Sequence, residues 1–274
     1  FATLDQLSRG RASVNVITGS DSGDLQRDGD FIDKDARYAR TDEYLDVVKQ
    51  TWTATKPFSH EGAHYRVADN LTLIKPLQKP HLPIYFSGAS DAAVEVAAKH
   101  ADVYMMWGEP LEQVRERIAK VRKAAARYGR EKHIRFSLSL RPILGATEEA
   151  AWARAEQILA QIKANPQFAA DSPWQKRIKG TGSERLLAAA ARADRHDRAL
   201  WMPTATAVGA YGDTTALVGT PETVAQALLD YVDLGVTTFL NRGYDPLYDT
   251  VDYGRWVIPA VREEVRRRQA RFVG

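Results

Sequence analysis

Hydroxyl, amide, aromatic and guanidinium side chains gather where the predicted strands of this sequence end. In the clearest case an apolar stretch runs into Ser87-Gly88-Ala89-Ser90, and a helical pattern then continues to His100. Backbone N–H groups at the start of such a helix attract anions, phosphate above all. The alternative is a plain strand-to-helix turn in which Ser90 or Asp91 caps the helix.

The other candidate residues also follow predicted strands: Asn15, Thr18, Gly19, Trp107, Gly108, Glu109, Ser139, Arg141, Asn241, Arg242, Gly243 and Tyr244. The sequence has no metal-ligand spacing, no nucleophile elbow and no Walker loop, so we expect no metal. The remaining set suits a flat, anionic cofactor that carries the difficult chemistry.

Each of these side chains also has a structural interpretation that the sequence leaves open. Trp107 and Tyr244 are consistent with core aromatic residues, and Arg141 with a partner of a carboxylate in a barrel mouth. Asn15 could satisfy backbone groups at a strand end, and Tyr38 could pack at a helix start.

The elements that would position these residues alternate between strand and helix. Five such units are visible, with strands near Val14, Ile84, Val103, Phe136 and Phe239. Alternation predicts a parallel sheet, and a (β/α)8 TIM barrel needs eight units. The chain starts at Phe1 without a methionine, and three upstream units would complete the barrel. An open doubly wound sheet is the alternative, although its dinucleotide fingerprint is absent.

We expect residues 1–274 to form a single barrel domain, with 165–212 as an insertion and lid before the last unit. Local patterns predict a strand at Ala12–Thr18 and a loop at Gly19–Asp35. They also predict a hairpin within Phe58–Leu77 that includes a strand at Thr72–Ile74. A further strand, Ile134–Leu144, is expected to break at Pro142.

The composition excludes several classes of protein. The 274 residues are 44% hydrophobic and 27% charged, with a net charge of +3 and no cysteine. Disulfides and thiolate chemistry are therefore excluded within this stretch, and no apolar run is long enough to span a membrane. The arginine-rich end, Arg262–Arg271, reads as a solvated helix face rather than a nucleic-acid site. Because no signal peptide is visible, we expect the protein to be located in the cytoplasm.

Several motifs, taken together and in order, resemble the bacterial-luciferase-like flavin monooxygenases, and most closely the FMNH2-dependent alkanesulfonate monooxygenases. They are Ala2–Arg11, Asn15–Asp21, Arg37-Tyr38, Pro83–Asp91, Tyr104–Pro110, Ile134–Phe136, Thr215–Gly219 and Gly243-Tyr244. The resemblance covers nearly the whole chain. It implies a TIM barrel of the luciferase-like type whose first three βα units lie outside this sequence.

The resemblance also implies roles for individual residues. Asn15 and Thr18 would lie by the flavin ring, and Tyr38 would reach the phosphate end. The segment Ser87-Gly88-Ala89-Ser90 would hold the FMN phosphate. The candidate catalytic residues are Trp107, which would wall the substrate pocket, Tyr244, which would line it, and Arg141, which could supply a cation.

The implied activity is that of a two-component monooxygenase. A separate NAD(P)H-dependent flavin reductase would supply reduced FMN, and O2 would be the co-substrate. An alkanesulfonate or related organosulfur compound would give an aldehyde and sulfite. Homodimers or homotetramers are common in this superfamily, and no nucleic-acid or membrane partner is expected.

The sequence departs from the pattern of the sulfonate enzymes at positions where those enzymes have cationic side chains. Ser139-Leu140-Arg141 stands where the sulfonate enzymes have Arg-Leu-His, and Ala210 stands near a second arginine of their mobile loop. Other substrates therefore stay open: a sulfone, an aminocarboxylate or an N-heterocycle, or hydride transfer by a deazaflavin. A non-catalytic flavin-binding relative is a further alternative.

Overall fold

A computed structural model describes residues 1–19, 22–173, 175, 180–211 and 214–271 of the chain. These residues divide into two compact units. The first unit contains residues 1–105 and 120–135, and the second contains residues 106–119 and 136–274. No helix in the described ranges combines the length and hydrophobicity that a membrane span requires.

The first unit is built from short strands and the helices that follow them. Its elements are α1 (Ala2–Leu7), β1 (Val14–Val16), α2 (Ser22–Arg27), α3 (Lys34–Thr53), β2 (Phe58–Glu61), β3 (Arg66–Asn70), β4 (Ile84–Ser87) and α4 (Asp91–His100). Strand β5 (Val103–Trp107) and helix α5 (Leu111–Ala126) contribute residues to both units.

Strands β1, β4 and β5 run parallel in the first unit, as the strand–helix alternation predicts. In this register Val16 pairs with Phe86, and Phe86 pairs with Tyr104. Ile84 and Phe86 are fully buried, because alternate side chains of β4 point into the core. The strands' carboxyl ends therefore lie at one edge, where β4 meets α4.

Three local predictions for the first unit need correction. The strand predicted at Ala12–Thr18 is limited to Val14–Val16, and the Ala12 carbonyl accepts a hydrogen bond from the Gln78 side chain. The predicted loop Gly19–Asp35 contains helix α2, and residues 20 and 21 lie outside the described ranges. The paired strands β2 and β3 confirm the hairpin. Thr72–Ile74 is not a strand, and Leu73 is 88% exposed.

The second unit alternates strands and helices with one irregular stretch. Its elements are β6 (Arg135–Leu144), α6 (Glu148–Ala164), a 3-10 turn (Pro166–Phe168), α7 (Thr181–Ala190), β7 (Arg195–His196), β8 (Leu200–Trp201), α8 (Pro203–Ala207), β9 (Ala216–Gly219), α9 (Pro221–Asp233), β10 (Thr238–Asn241), α10 (Tyr248–Asp252), a π-helical turn (Tyr253–Val257) and α11 (Ile258–Arg271).

Strand β6 is continuous through Pro142, which corrects the predicted break. Its first half pairs in parallel with β10, up to Leu140, and its second half pairs with β9 from Arg141 onward. Arg141 N–H donates to the Thr215 carbonyl. Backbone groups of successive residues point to alternate neighbouring strands. The backbone of Arg141 points to the β9 side, so that of Pro142 points to the β10 side, where pairing has already ended. The missing N–H of the proline therefore costs the sheet no hydrogen bond.

The predicted insertion, 165–212, adds short strands that sequence periodicity misses. Strand β9 pairs antiparallel with β8, and β8 pairs antiparallel with β7, so this part of the sheet is mixed. Residues 174, 176–179 and 212 of the predicted insertion lie outside the described ranges. Two-residue strands carry too short a pattern to be recognised from alternation alone.

Candidate functional site

The turn between β4 and α4 has the geometry of an anion-binding helix start. Ser90 is the N-cap of α4, and its Oγ accepts a hydrogen bond from the Ala93 N–H at 3.3 Å. The Ser90 carbonyl accepts the first helical bond, from Val94. The prediction that the helix begins at Ser90 or Asp91 is confirmed. A ten-residue helix with its dipole at this end favours a negative group in front of the turn.

Gly88 is required at this turn for two reasons. Its φ angle is 148°, a conformation that residues with a side chain rarely adopt. A Cβ atom at this position would lie 2.5 Å from the Ala93 Cβ and 3.0 Å from the Tyr38 hydroxyl oxygen. The glycine therefore lets the backbone approach α4 and Tyr38 closely; the Gly88–Ser90 turn with the Tyr38 hydroxyl beside it is called the cradle below.

Tyr38 brings its phenol group to the same turn. It lies in the second turn of α3, which begins at Lys34. The carboxylate of Asp33 caps this helix by accepting from the N–H groups of Asp35 and Ala36. Burial raises the pKa of Tyr38 above its usual value, although a hydrogen bond with Ser90 opposes the shift. The phenol is therefore protonated near neutral pH and can donate to an anion.

Tyr104 of β5 contacts this turn, and the sequence analysis did not predict that contact. Its hydroxyl donates a hydrogen bond to the Gly88 carbonyl, and the side chain is only 1% exposed. Tyr104 pairs in register with Phe86, so its position beside the turn follows from the parallel sheet. A tyrosine within β5 is visible in the sequence, but its contact with Gly88 can be inferred only once the pairing of β4 and β5 is known.

A buried cation stands one residue before Tyr38. Arg37 is 3% exposed and donates from Nη1 to the Ile32 carbonyl at 2.7 Å. Its Nε has no hydrogen-bond partner among the described residues. The Arg37 charge is close enough to lower the pKa of Tyr38, in opposition to burial. Arg37 thus places one positive charge near the phenol, and the Asp35 carboxylate acts on the phenol in the opposite sense.

Asn15 and Thr18, predicted beside the flavin ring, follow β1 in the same unit. The Asn15 side chain is exposed, and its backbone pairs with Tyr85, two residues before Ser87. The Thr18 hydroxyl is hydrogen-bonded to the Thr41 hydroxyl of α3 at 3.3 Å. Ser87 ends β4 and Ala89 lies within the turn. The first unit thus contains all seven predicted cofactor residues.

These residues of the first unit could hold a phosphate group such as that of FMN. The fit depends on the glycine cradle, the capped helix start, the protonated phenol and the nearby guanidinium. Backbone N–H groups and hydroxyls bind phosphate at helix N-termini without a dedicated surface cation. At the ring end, the exposed amide of Asn15 can both donate and accept hydrogen bonds.

The second unit brings Arg141 and Tyr244 together. The Arg141 guanidinium lies 5.1 Å from the centroid of the Tyr244 ring, and its Nη1 donates to the Gly243 carbonyl at 3.2 Å. Arg141 follows the β10-paired half of β6, and Tyr244 lies three residues beyond the end of β10. Stacking on an aromatic face orients a guanidinium.

A buried ion pair fixes the loop that carries Tyr244. Asp249 is almost fully buried, accepts from the Asp245 N–H at 2.9 Å and pairs with Arg154 at 2.5 Å. A Cβ atom at Gly243 would lie 2.4 Å from the Asp249 Cβ. Removing one partner of such a pair would leave a buried charge, so the loop is held firmly.

The position of the missing family arginine is not a cationic site here. Ser139 Oγ donates to the Leu240 carbonyl at 3.4 Å, and its side chain is buried. The Asn241 Oδ1 is buried and has no hydrogen-bond partner within the part of the chain that the structure describes. Ser139 is uncharged, so the cationic side chain that the sequence predicts for a substrate anion is that of Arg141.

Trp107, the third residue predicted as catalytic, is the last residue of β5 and is half-buried. Its indole lies on Gly182 of α7, where an added Cβ would come 2.8 Å from the ring atom Cζ3. Arg141 and Tyr244 therefore form one contact, whereas Trp107 packs against the predicted insertion.

Two aspartates and a histidine meet in the first unit, although the sequence showed no metal spacing. Asp42, Asp46 and His100 place potential ligand atoms within 4.8 Å of one another. Lys99 Nζ pairs with both carboxylates, at 2.9 and 2.7 Å, and His100 Nε2 bonds Asp42 at 2.8 Å. The group therefore ties α3 to α4 as an internal charge network.

The strand–helix architecture and its mixed sheet define an α/β fold of the TIM-barrel type. The family model of the luciferase-like monooxygenases matches residues 1–238. The chain belongs to this family, as its motifs predict. Its specific resemblance to the alkanesulfonate enzymes stays a prediction.

Solved structures share this fold at low sequence identity. Riboflavin lyase with modified FMN and riboflavin is 20% identical, with a TM-score of 0.77 and coverage of 96% of this chain and 66% of that one. EDTA monooxygenase from Chelativorans sp. BNC1 is 20% identical, with a TM-score of 0.70 and coverage of 96% and 70%. An F420-dependent secondary alcohol dehydrogenase with an F420–acetone adduct is 19% identical, with a TM-score of 0.65 and coverage of 95% and 73%. The chain thus spans just under two thirds of the riboflavin lyase.

Proposed function

We propose that this protein is a two-component monooxygenase that uses reduced FMN and O2 to oxidise an alkanesulfonate or related organosulfur compound. The observation that carries the flavin proposal is the cradle at Gly88 and Ser90, with the protonated phenol of Tyr38 beside it. Family membership supports the same cofactor class.

Each residue of the cradle would have a separate task. The Gly88–Ser90 backbone and the Ser90 hydroxyl would hold the phosphate, and Tyr38 would donate a hydrogen bond to it. Asn15 and Thr18 would contact the ring. Bound reduced FMN would supply the electrons for splitting O2, with one oxygen atom entering the substrate and the other leaving as water.

The substrate proposal depends on Arg141. A sulfonate needs fixed cationic donors, and a guanidinium provides them in a planar fork. The Tyr244 ring holds that guanidinium in place, and Trp107 would wall the pocket for the organic part of the substrate. The products from an alkanesulfonate would be an aldehyde and sulfite.

A flavin reductase would deliver reduced FMN, because the proposed reaction consumes it at each turnover. We also propose a homodimer or homotetramer and a 165–212 lid that excludes water. The family resemblance supports both proposals.

The function is tested by mixing the protein with reduced FMN, O2 and a panel of sulfonates and sulfones. We expect sulfite release with at least one sulfonate, in step with the oxygen consumed by substrate. Oxygen consumption that no panel member changes, without sulfite, would contradict the sulfur proposal and leave the flavin proposal standing.

A second candidate is an oxidoreductase of the same family with another substrate or a deazaflavin. The observation that favours it is Ser139, whose hydroxyl bonds the Leu240 carbonyl where the sulfonate enzymes have an arginine. The EDTA monooxygenase and the F420-dependent dehydrogenase show that this fold accommodates such chemistry. Reduction of a deazaflavin by an alcohol, without oxygen uptake, would favour this candidate. Tight FMN binding without turnover of any substrate would indicate a non-catalytic relative.

A further inference from the structure

Helix α7 places a glycine and an arginine on the face that meets the end of β5. Gly182 and Arg185 are three residues apart, so they lie on the same side of the helix. Trp107 and Glu109, the residues that they meet, are two apart in the segment that leaves β5. Two contacts of different chemistry therefore join the same pair of segments.

The first contact depends on the absence of a side chain. A Cβ at position 182 would lie 2.8 Å from Cζ3, 3.2 Å from Cε3 and 3.5 Å from Cη2 of Trp107. All three atoms lie along one edge of the six-membered ring, so this edge faces the α7 backbone at Gly182. A glycine inside a helix opposes helix formation, and close packing is the usual reason for its presence.

The second contact is a forked ion pair. Arg185 Nε bonds Glu109 Oε1 at 2.9 Å, and Arg185 Nη2 bonds Oε2 at 2.7 Å. Both side chains are mostly buried, and the Tyr231 hydroxyl holds the Glu109 carbonyl at 2.8 Å. A charge-assisted pair with two parallel bonds fixes orientation as well as distance.

The segment between these contacts is also held from its other side. The Gly108 N–H donates to the Ser139 carbonyl at 2.8 Å. A Cβ at Gly108 would lie 2.1 Å from Leu140 Cδ2 and 2.6 Å from Thr215 Oγ1. The backbone after Trp107 therefore has little freedom. The contact of the indole with α7 then limits the positions that the ring can take.

We infer that Gly182 and Arg185 are positioning residues that set the position of the Trp107 indole, and thereby the size of the organic group that the enzyme accepts. This inference rests on the proposed function, in which Trp107 walls the substrate pocket. Gly182 determines how closely the ring approaches α7, and the Arg185–Glu109 pair keeps the helix against the segment.

The position of the indole is measured by fluorine NMR on protein labelled with fluorotryptophan. The chain has six tryptophans, and the resonance lost in Trp107→Phe identifies that of Trp107. Gly182→Ala is expected to move this resonance, because the added methyl pushes the ring away from α7. Gly180→Ser is the matched control, because a Cβ there meets no atom of the described residues within 4 Å and serine is a good N-cap.

A second pair of variants keeps the test informative if Gly182→Ala fails to fold. Arg185→Met is expected to broaden or move the Trp107 resonance, and Arg185→Lys to have a smaller effect, since lysine keeps the charge but loses the fork. An unchanged Trp107 resonance in the folded Gly182→Ala variant, or in Arg185→Met if that variant alone folds, would overturn the inference.

Turnover provides the specificity test with ethanesulfonate, hexanesulfonate and decanesulfonate as probes. Gly182→Ala is expected to raise KM for decanesulfonate about tenfold relative to ethanesulfonate, with little change in kcat for ethanesulfonate. An equal change in KM for all three probes would overturn the size-selecting role. If wild-type protein turns over none of them, the sulfonate proposal fails, whereas the NMR result still decides the positioning of Trp107.

Discussion

The Tyr104 hydroxyl donates a hydrogen bond to the Gly88 carbonyl and so joins β5 to the turn that begins α4. The phenol is buried, and the turn accepts no side chain at Gly88. One strand of the parallel sheet therefore fixes the backbone of the proposed phosphate cradle on its neighbour.

Tyr104→Phe is expected to destabilise the protein by about 1–2 kcal/mol, because it leaves the Gly88 carbonyl without this donor. It should also weaken FMN binding, since the turn loses a support. Tyr231→Phe is the matched control, as this buried tyrosine donates to the Glu109 carbonyl at 2.8 Å. Urea denaturation and flavin titration check both variants; equal FMN affinities in the two would contradict the supporting role of Tyr104.

Gly88→Ala should weaken both stability and FMN binding. The methyl group would overlap the Ala93 Cβ, and overpacking of this kind costs about 1–3 kcal/mol. Gly129→Ala provides the comparison, because Gly129 has a φ angle of 64° but its Cβ would meet nothing within 4 Å in the described part of the chain. The Gly129→Ala variant should lose about 1–2 kcal/mol of stability, the cost of the left-handed backbone for a residue with a side chain, and keep its FMN affinity.

Arg141→Met is expected to raise KM for a sulfonate by about 10- to 150-fold, which corresponds to the loss of a charged hydrogen bond worth about 1.5–3 kcal/mol. FMN affinity should stay within about twofold, because Arg141 would contact the substrate and not the phosphate. A neutral sulfone is the matched probe. If the sulfone and the sulfonate lose equally, Arg141 acts on structure rather than on the anion.

Acid should weaken the α3–α4 junction in two stages. Burial lowers the pKa of His100 below 6.5, so the folded state binds its proton less readily and the free energy of unfolding falls below about pH 6.5. The hydrogen bond with His100 lowers the pKa of Asp42 to about 2 from 3.8. The contribution of Asp42 is therefore complete above about pH 4 and is lost as the pH falls through 2.

Denaturation of Asp42→Asn at pH 7, 5 and 3 checks this second stage. We expect a modest effect, below about 1 kcal/mol, since the Asp42 carboxylate is one-third exposed. The difference from the parent protein should shrink between pH 5 and pH 3, where the Asp42 carboxylate of the unfolded state becomes protonated. A difference that grows toward pH 3 would contradict the assigned sign.

Local chemistry explains which features could be predicted from the sequence. The start of α4 at Ser90 was predictable because the cap and its target, Ala93, are three residues apart. Tyr104 was missed because its partner, Gly88, lies in the turn that follows the neighbouring strand. The Arg185–Glu109 pair joins residues 76 apart in sequence, so no local pattern contains it.

Periodicity failed where elements are very short or where pairing depends on distant residues. The apolar run at Thr72–Ile74 has a strand-like composition, but its side chains stay largely exposed instead of pairing in the sheet. Pro142 suggested a break in β6, yet it stands where the partner strand changes from β10 to β9. In both cases the tertiary surroundings determine the result, not the intrinsic preference of the residues.

The central claim is that the turn at Gly88–Ser90 holds the phosphate of FMN, and comparing FMN with riboflavin tests it most directly. Riboflavin shares the ring system but lacks the phosphate, so anaerobic titration with the two reduced flavins isolates the phosphate contribution. We predict that the protein binds reduced FMN at least about tenfold more tightly, and that Ser90→Ala reduces this preference. Thr147→Ala, which removes the equivalent cap of α6, should leave the preference intact. Equal affinity of the parent protein for the two flavins would contradict the account.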